Sequence, residues 1–284
     1  EVIVPAPYWV SFPEMVTLSG AKPVIVNTDA ASDFKITAEQ IDKAVTPNTR
    51  AIVINSPSNP TGSAYDKDEL EKLAECALRH GLLIISDEIY EQIVFDGFHH
   101  TSIASISKEV QKQCVVINGV SKSYAMTGWR IGYIAAGDPE IVKQVSKLQG
   151  QSTSNPCATS QAASIEALAG SLDEVRAMVR EFEKRRNIIV ERLTQIPGVS
   201  CRKPTGSFYS FPDFSGIYGK KDTNGKVLKG SLDLSDYLLS TNKVAIVPGI
   251  AFGADAHARL AFAMSLEKIE AGTHRIKEAI ENLQ

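Results

Sequence analysis

The stretch "SKSYAMTGWR", residues 121–130, sets Lys122 among small residues directly after the apolar run "CVVIN", with Arg130 eight positions on. An ammonium at the end of a buried strand is rarely there for packing, because burying an unpaired charge is costly. Two more apolar runs end the same way. "AIVIN" leads into "SPSNPTG", which carries Asn59, and "LLIIS" leads into "DEIY", which carries Asp87 and Tyr90. An amine, a guanidinium, an amide, a carboxylate, a phenol and the hydroxyl of Ser121 therefore follow strand-like runs. In parallel α/β sheets ligands sit outside the carboxyl ends of the strands, so these groups should gather on one edge. The set contains no histidine, so it cannot be a serine-hydrolase triad. Lys122 and Arg130 would repel a cation, and no metal ligands are assigned.

The elements that must position this set alternate. "PVIVN", "AIVIN", "LLIIS", "CVVIN" and "RIGYIAA" read as strands, each continuously apolar. Continuous rather than alternating apolarity predicts strands covered on both faces, as in parallel sheets. Between them, Thr37 with Gln40 and Asp66 with Glu69 have the spacing of capping boxes that open helices. Further helices are expected at 139–149 and 159–169. The pattern predicts an α/β fold: a mixed, mostly parallel sheet wrapped by helices. From about residue 171 to 196 one long helix leads out of it. Beyond, "VSCRKP", "SFYSFPDF", "VAIVPG" and "ARLAFAMS" read as strands of a smaller α+β C-terminal domain, with 218–230 as a flexible surface loop. We expect a large domain over 1–182 and a small one over 183–284.

The gathered set matches the needs of pyridoxal 5'-phosphate. Its aldehyde requires a lysine, and its ring nitrogen stays protonated beside a buried carboxylate. Its ring oxygen suits a phenol and an amide, and its phosphate suits an arginine and a hydroxyl. "SKSYAMTGWRIG", "SPSNPTG" and "SDEIYE" resemble, in order, blocks of the class I aminotransferases, and "VAIVPGIAFG…ARLAFAMS" resembles their carboxylate-binding block. The chain is most similar to the aspartate/prephenate subgroup, in which "PYW" and "MTGWRIGY" are typical.

The resemblance implies roles. Lys122 would carry the cofactor and shuttle a proton, and Asp87 would face the ring nitrogen. Tyr90 and Asn59 would bond the ring oxygen, and Ser121 and Arg130 would hold phosphate. Trp9 would lie against ring and substrate, and Arg259 would grip the substrate carboxylate. It further implies transamination between an amino acid and a 2-oxo acid such as 2-oxoglutarate, in a homodimer. Another enzyme on the same scaffold, a β-lyase or decarboxylase, and a non-enzymatic sensor domain of a transcription regulator are the rival readings. The family's first quarter, which supplies a phosphate-binding turn and side-chain-sorting residues, has no counterpart in these 284 residues.

Bulk properties agree. With 30 Lys and Arg against 33 Asp and Glu, the net charge is −3, which suggests no nucleic-acid or anionic-membrane partner. The opening "EVIVPAPYWV" has no basic leader, and a cytoplasmic location is expected. Cys76, Cys114, Cys157 and Cys201 are scattered and read as free thiols. His99 and His100 read as solvated loop residues.

Overall fold

The computed structural model describes residues 1–284. The main sheet holds β1 (Val2–Ala6), β2 (Pro23–Asn27), β3 (Ala51–Asn55), β4 (Leu83–Asp87), β5 (Cys114–Gly119) and β6 (Gly132–Ala136). Their order across the sheet is β2-β1-β3-β4-β5-β6. Neighbours run parallel except β5 and β6, which are antiparallel. Helices α1 (Ser11–Leu18), α2 (Ala38–Ala44), α3 (Lys67–Arg79) and α4 (Lys108–Lys112) lie in the connections. This is the mixed, mostly parallel α/β sheet expected from the alternating runs. β1 has β2 on one side and β3 on the other, so the strand order reverses beside it. Ligand crevices form at such reversals.

Local chemistry sets the element boundaries. Thr37 and Gln40 bond each other's backbone at the start of α2, and Asp66 and Glu69 do so at α3. Each box satisfies amides that a helix start otherwise leaves without partners. α3 buries Leu70, Leu73 and Ala77 on the sheet beside Ile3, Ile52 and Ile84. At the far end of β5, Gly119 pairs with Gly132. A Cβ on Gly119 would sit 2.8 Å from the Ile131 carbonyl oxygen, so only glycine lets the two strands meet there.

After β6 come α5 (Pro139–Ser152), α6 (Ala158–Ala169) and α7 (Asp173–Thr194). β7 (Tyr209–Ser210), α8 (Ser231–Asn242), β8 (Val247–Pro248), β9 (Ala258–Ala261) and α9 (Leu266–Glu281) follow. β7, β9 and β8 form a second, small antiparallel sheet. α7 packs on α9, and Phe182, Ile189 and Leu193 join Ile269, Ile276 and Ile280 in one core. That core also takes in Tyr90, Ile93 and Phe95, which follow β4. No helix is long and apolar enough to cross a membrane.

Several expectations need correction. The run "RIGYIAA" does not begin as strand at Arg130, which is left-handed at φ 57°; pairing starts at Gly132. Coverage on both faces fails at β6, where Gly132, Tyr133 and Ala135 are exposed, and α5 buries no residue. Apolar periodicity records that a strand can be covered, not what covers it. The C-terminal runs shrink to strands of two to four residues, and "VSCRKP" keeps only a bridge from Ser200 to Asp213. The 218–230 segment is not a free loop: Leu228 is fully buried and Lys221 bridges Val227. His100 is not solvated but packs against Glu88.

Candidate active site

Strand register brings the chemistry together. Asn55 pairs with Asp87, Asp87 with Ile117, and Gly119 with Gly132, so the adjoining ends of β3 to β6 share one edge. A cavity of about 530 Å³ opens there. Trp9 reaches it from the loop after β1, Asn55 and Asn59 from β3 and its loop, and Asp87 and Tyr90 from β4 and its turn. Ser121, Lys122, Thr127 and Arg130 come from the β5–β6 connection, Tyr209 from β7 and Arg259 from β9. Every site residue singled out from the sequence, from Trp9 to Arg259, lines this one cavity.

The loop after β3 is tied down from both sides. Asn55 Oδ1 accepts the Asn59 amide at 2.8 Å, and Asn55 Nδ2 donates to the Asp87 carbonyl at 3.1 Å. Gly62, left-handed at φ 72°, packs where a Cβ would meet Pro204 Cβ at 2.5 Å. This holds the Asn59 loop against the C-terminal part of the chain.

The charged groups share one property. The Asp87 carboxylate accepts only the Ile89 amide, at 3.1 Å. Burial pushes its carboxyl up to about 6; the Glu88 charge adds to this and Lys122 opposes it. Burial lowers the Lys122 amine's pKa, helped by the positive charges of Arg130 and Arg259. Its Nζ stands 5.7 Å from the Phe208 ring centre. Arg130 donates to the Thr127 carbonyl at 2.8 Å. Arg259 donates to Asn59 Oδ1 at 2.7 Å and lies 4.4 Å from the Tyr209 ring centre. None of these four groups stands in an ion pair within the fold. Three cations and one carboxylate thus face one cavity, and an excess of positive charge there calls for anionic groups from outside.

Tyr209 is the participant that sequence reading missed. Its hydroxyl accepts a hydrogen bond from Tyr90 at 3.2 Å, while its ring lies under Arg259. Burial and this contact push the Tyr90 phenol's pKa well up. Asn55, Asn118 and Thr127 also line the cavity unannounced. Asn55 had a signal available, as the last residue of a strand whose neighbours end in chemistry; Tyr209 had none.

A cavity at the carboxyl edge of a mixed sheet, set with a lysine, an acid and two arginines, defines an enzyme of the aminotransferase fold. Comparison with known proteins agrees: the family described as aminotransferase class I and II matches residues 1–276, and the chain belongs to it. Aspartate aminotransferase of Geobacillus stearothermophilus is 48% identical over 284 residues, covering 99% of this chain and 70% of that protein. A probable aspartate/prephenate aminotransferase of Rickettsia bellii is 44% identical, covering 100% of this chain and 71% of that protein. The crystal structure of the Rhizobium meliloti aspartate aminotransferase superposes with a TM-score of 0.96 at 41% identity, over 100% of this chain and 71% of that one. The chain is thus a pyridoxal-phosphate-dependent transferase by family.

Proposed function

We propose that the chain catalyses transamination between an amino acid, aspartate or a related dicarboxylic or aromatic-precursor acid, and a 2-oxo acid such as 2-oxoglutarate. The observation that carries this reading is the cavity charge: Lys122, Arg130 and Arg259 converge with Asp87, and none is neutralised by the fold. A cofactor with a phosphate dianion and a cationic ring nitrogen, together with a substrate carboxylate, complements that set. When bound, pyridoxal phosphate supplies an electrophilic carbonyl and a ring that draws electrons from the substrate's α-carbon.

The chain's own residues do the rest. Lys122 offers an amine whose lowered pKa leaves more of it neutral, able to attack a carbonyl and then to take and return a proton at the α-carbon. Asp87 would accept the ring nitrogen's proton in a hydrogen bond. Tyr90 and Asn59 would bond the ring oxygen, and Ser121 and Arg130 would hold the phosphate. Trp9 would lie near the ring. Arg259, its guanidinium oriented by Asn59 and Tyr209, presents a fork to the α-carboxylate. Relatives named for aspartate, and for aspartate and prephenate, support the choice of substrate class. In the same reading 1–182 is the cofactor-binding domain and 183–284 the small domain, meeting within α7. The working form is a cytoplasmic homodimer.

The test is spectroscopic and chemical. Protein loaded with pyridoxal phosphate should show a band at the visible edge that shifts on adding aspartate, with oxaloacetate released in step with aminated cofactor. Release of ammonia instead, or a shift with phenylalanine but not aspartate, would contradict this reading.

A further inference from the structure

The loop that carries Asn59 has few ways to hold itself. Pro57 and Pro60 bring no amide, so between Ser56 and Ser63 only Ser58, Asn59, Thr61 and Gly62 can donate from the backbone. The Ser58 and Gly62 amides donate to the Ser63 and Ser58 carbonyls at 2.8 and 3.0 Å. Asn59 is 7% exposed, and its amide has one partner, Asn55 Oδ1 at 2.8 Å. The other end of the Asn55 side chain donates to the Asp87 carbonyl at 3.1 Å, and the Ser56 amide donates to that same oxygen at 3.1 Å. Both ends of the Asn55 amide are therefore engaged with backbone, although the residue lines the cavity. It ties the adjoining ends of β3 and β4 to the loop.

The tie continues through a side chain. Arg259 Nη1 donates to Asn59 Oδ1 at 2.7 Å. A guanidinium carries only donors, so this contact decides which end of the Asn59 amide is the oxygen. The Tyr209 and Phe252 ring centres lie 4.4 and 5.0 Å from the Arg259 guanidinium and limit its tilt. Asn59 is its one hydrogen-bond partner in the fold. Arg259 is thus aimed by a single side-chain amide, and the backbone amide of that residue is held by Asn55 alone.

We propose that Asn55 is a positioning residue for substrate: by fixing the Asn59 backbone it sets the direction of the Arg259 fork toward the α-carboxylate. This deepens the reading of Arg259 as the carboxylate grip and rests on it. A buried amide that loses its only acceptor drives its loop to move, and a shift of about 1 Å in a group that orients substrate can cost on the order of 10²-fold.

The experiment is a double-mutant cycle in the protein loaded with pyridoxal phosphate, read with aspartate. Asn55→Leu keeps the bulk and removes both hydrogen bonds. It should raise KM and lower kcat/KM by roughly 10- to 100-fold, with kcat little changed, because a carboxylate grip acts in ground and transition state alike. In the Arg259→Gln background the same substitution should cost less than about twofold, since no fork is left to aim. An equal factor in both backgrounds would mean that Asn55 only supports the fold, and would overturn the proposal. Amide hydrogen exchange in the cofactor-free chain gives a readout without substrate. The Asn59 amide should be protected in the parent, exchange at least about tenfold faster in Asn55→Leu, and regain protection in Asn55→Asp, which keeps the acceptor. Unprotected exchange in the parent would overturn the proposal with no variant needed. A kcat/KM near the parent's in Arg259→Gln would sink the reading of Arg259 and the proposal with it, whereas equal factors across the cycle sink the role of Asn55 alone.

Discussion

Arg186 of α7 and Arg259 of β9 both meet aromatic rings, but the fold treats their charges differently. Arg186 is fully buried, lies 4.7 Å from the Phe95 ring centre, and makes a two-pronged contact with Asp96 at 2.7 and 3.0 Å. It also donates to the Pro204 carbonyl at 3.0 Å and to Asn187 and Glu183. The guanidinium holds the Asp96 carboxyl well below the usual range. Arg259 has one amide oxygen and no carboxylate. A structural charge is thus closed within the chain, ligand by ligand, whereas Arg259, which we propose grips a substrate, keeps donors to spare. Arg130 does too, and Lys122 and Asp87 stand in no ion pair. The difference distinguishes clamps from proposed binding groups without reference to any relative.

Substitutions can break this comparison. The largest effect is expected from Lys122→Ala, which removes the proposed nucleophile and proton carrier. Turnover should fall by at least about 10⁴-fold, while the thermal midpoint stays at or above that of the parent. Residual turnover near the parent's would refute the assignment. Asp87→Asn should cost roughly 10³-fold, since an amide cannot hold a ring nitrogen protonated by charge; a loss under about tenfold would count against it.

The two arginines should then diverge. Arg259→Gln should cut kcat/KM by roughly 10²- to 10³-fold, the loss expected from a buried charged contact to substrate, with little change in denaturant midpoint. Arg186→Met should do the reverse. Asp96, the partner left behind, is half exposed and keeps Lys203, so the loss is that of Arg186's buried hydrogen bonds, about 1–3 kcal/mol, and the fraction still folded should turn over normally. A stability loss confined to Arg259 would invert the argument.

Stability against pH gives a smaller signal. The folded Asp87 carboxyl, raised to about 6 from an ordinary 3.8, favours folding only in acid. That contribution is complete below about pH 4 and lost as pH rises through 6, at most about 3 kcal/mol in all. In the cofactor-free protein Asp87→Asn should therefore be the more stable form above pH 6, and denaturation at pH 4 and pH 7 measures the gap. Smallest is Tyr209→Phe, which keeps the ring under Arg259 and removes the hydroxyl from Tyr90. A severalfold loss is expected, in line with one neutral hydrogen bond.

Much of the site was legible because its parts sit at strand ends, where apolar runs stop and polar groups begin. Asn59, Asp87 and Lys122 each follow such a run, so local pattern and topology point the same way. Tyr209 lies on a strand of two residues and meets Tyr90 across 119 positions, a contact with no local trace. His100 looked solvated because "FHH" is polar in one dimension, while its partner is twelve residues upstream. Trp9 was the reverse case: an aromatic that packs edge-on against Phe12 at 5.3 Å and still lines the cavity.

The most direct measurement is reductive trapping. The protein is incubated with pyridoxal phosphate, reduced with borohydride, digested and mapped by mass spectrometry. The cavity charge set predicts a single phosphopyridoxyl group on Lys122, lost in Lys122→Ala and weakened in Arg130→Gln. Label spread over exposed lysines, equal in parent and variants, would contradict it.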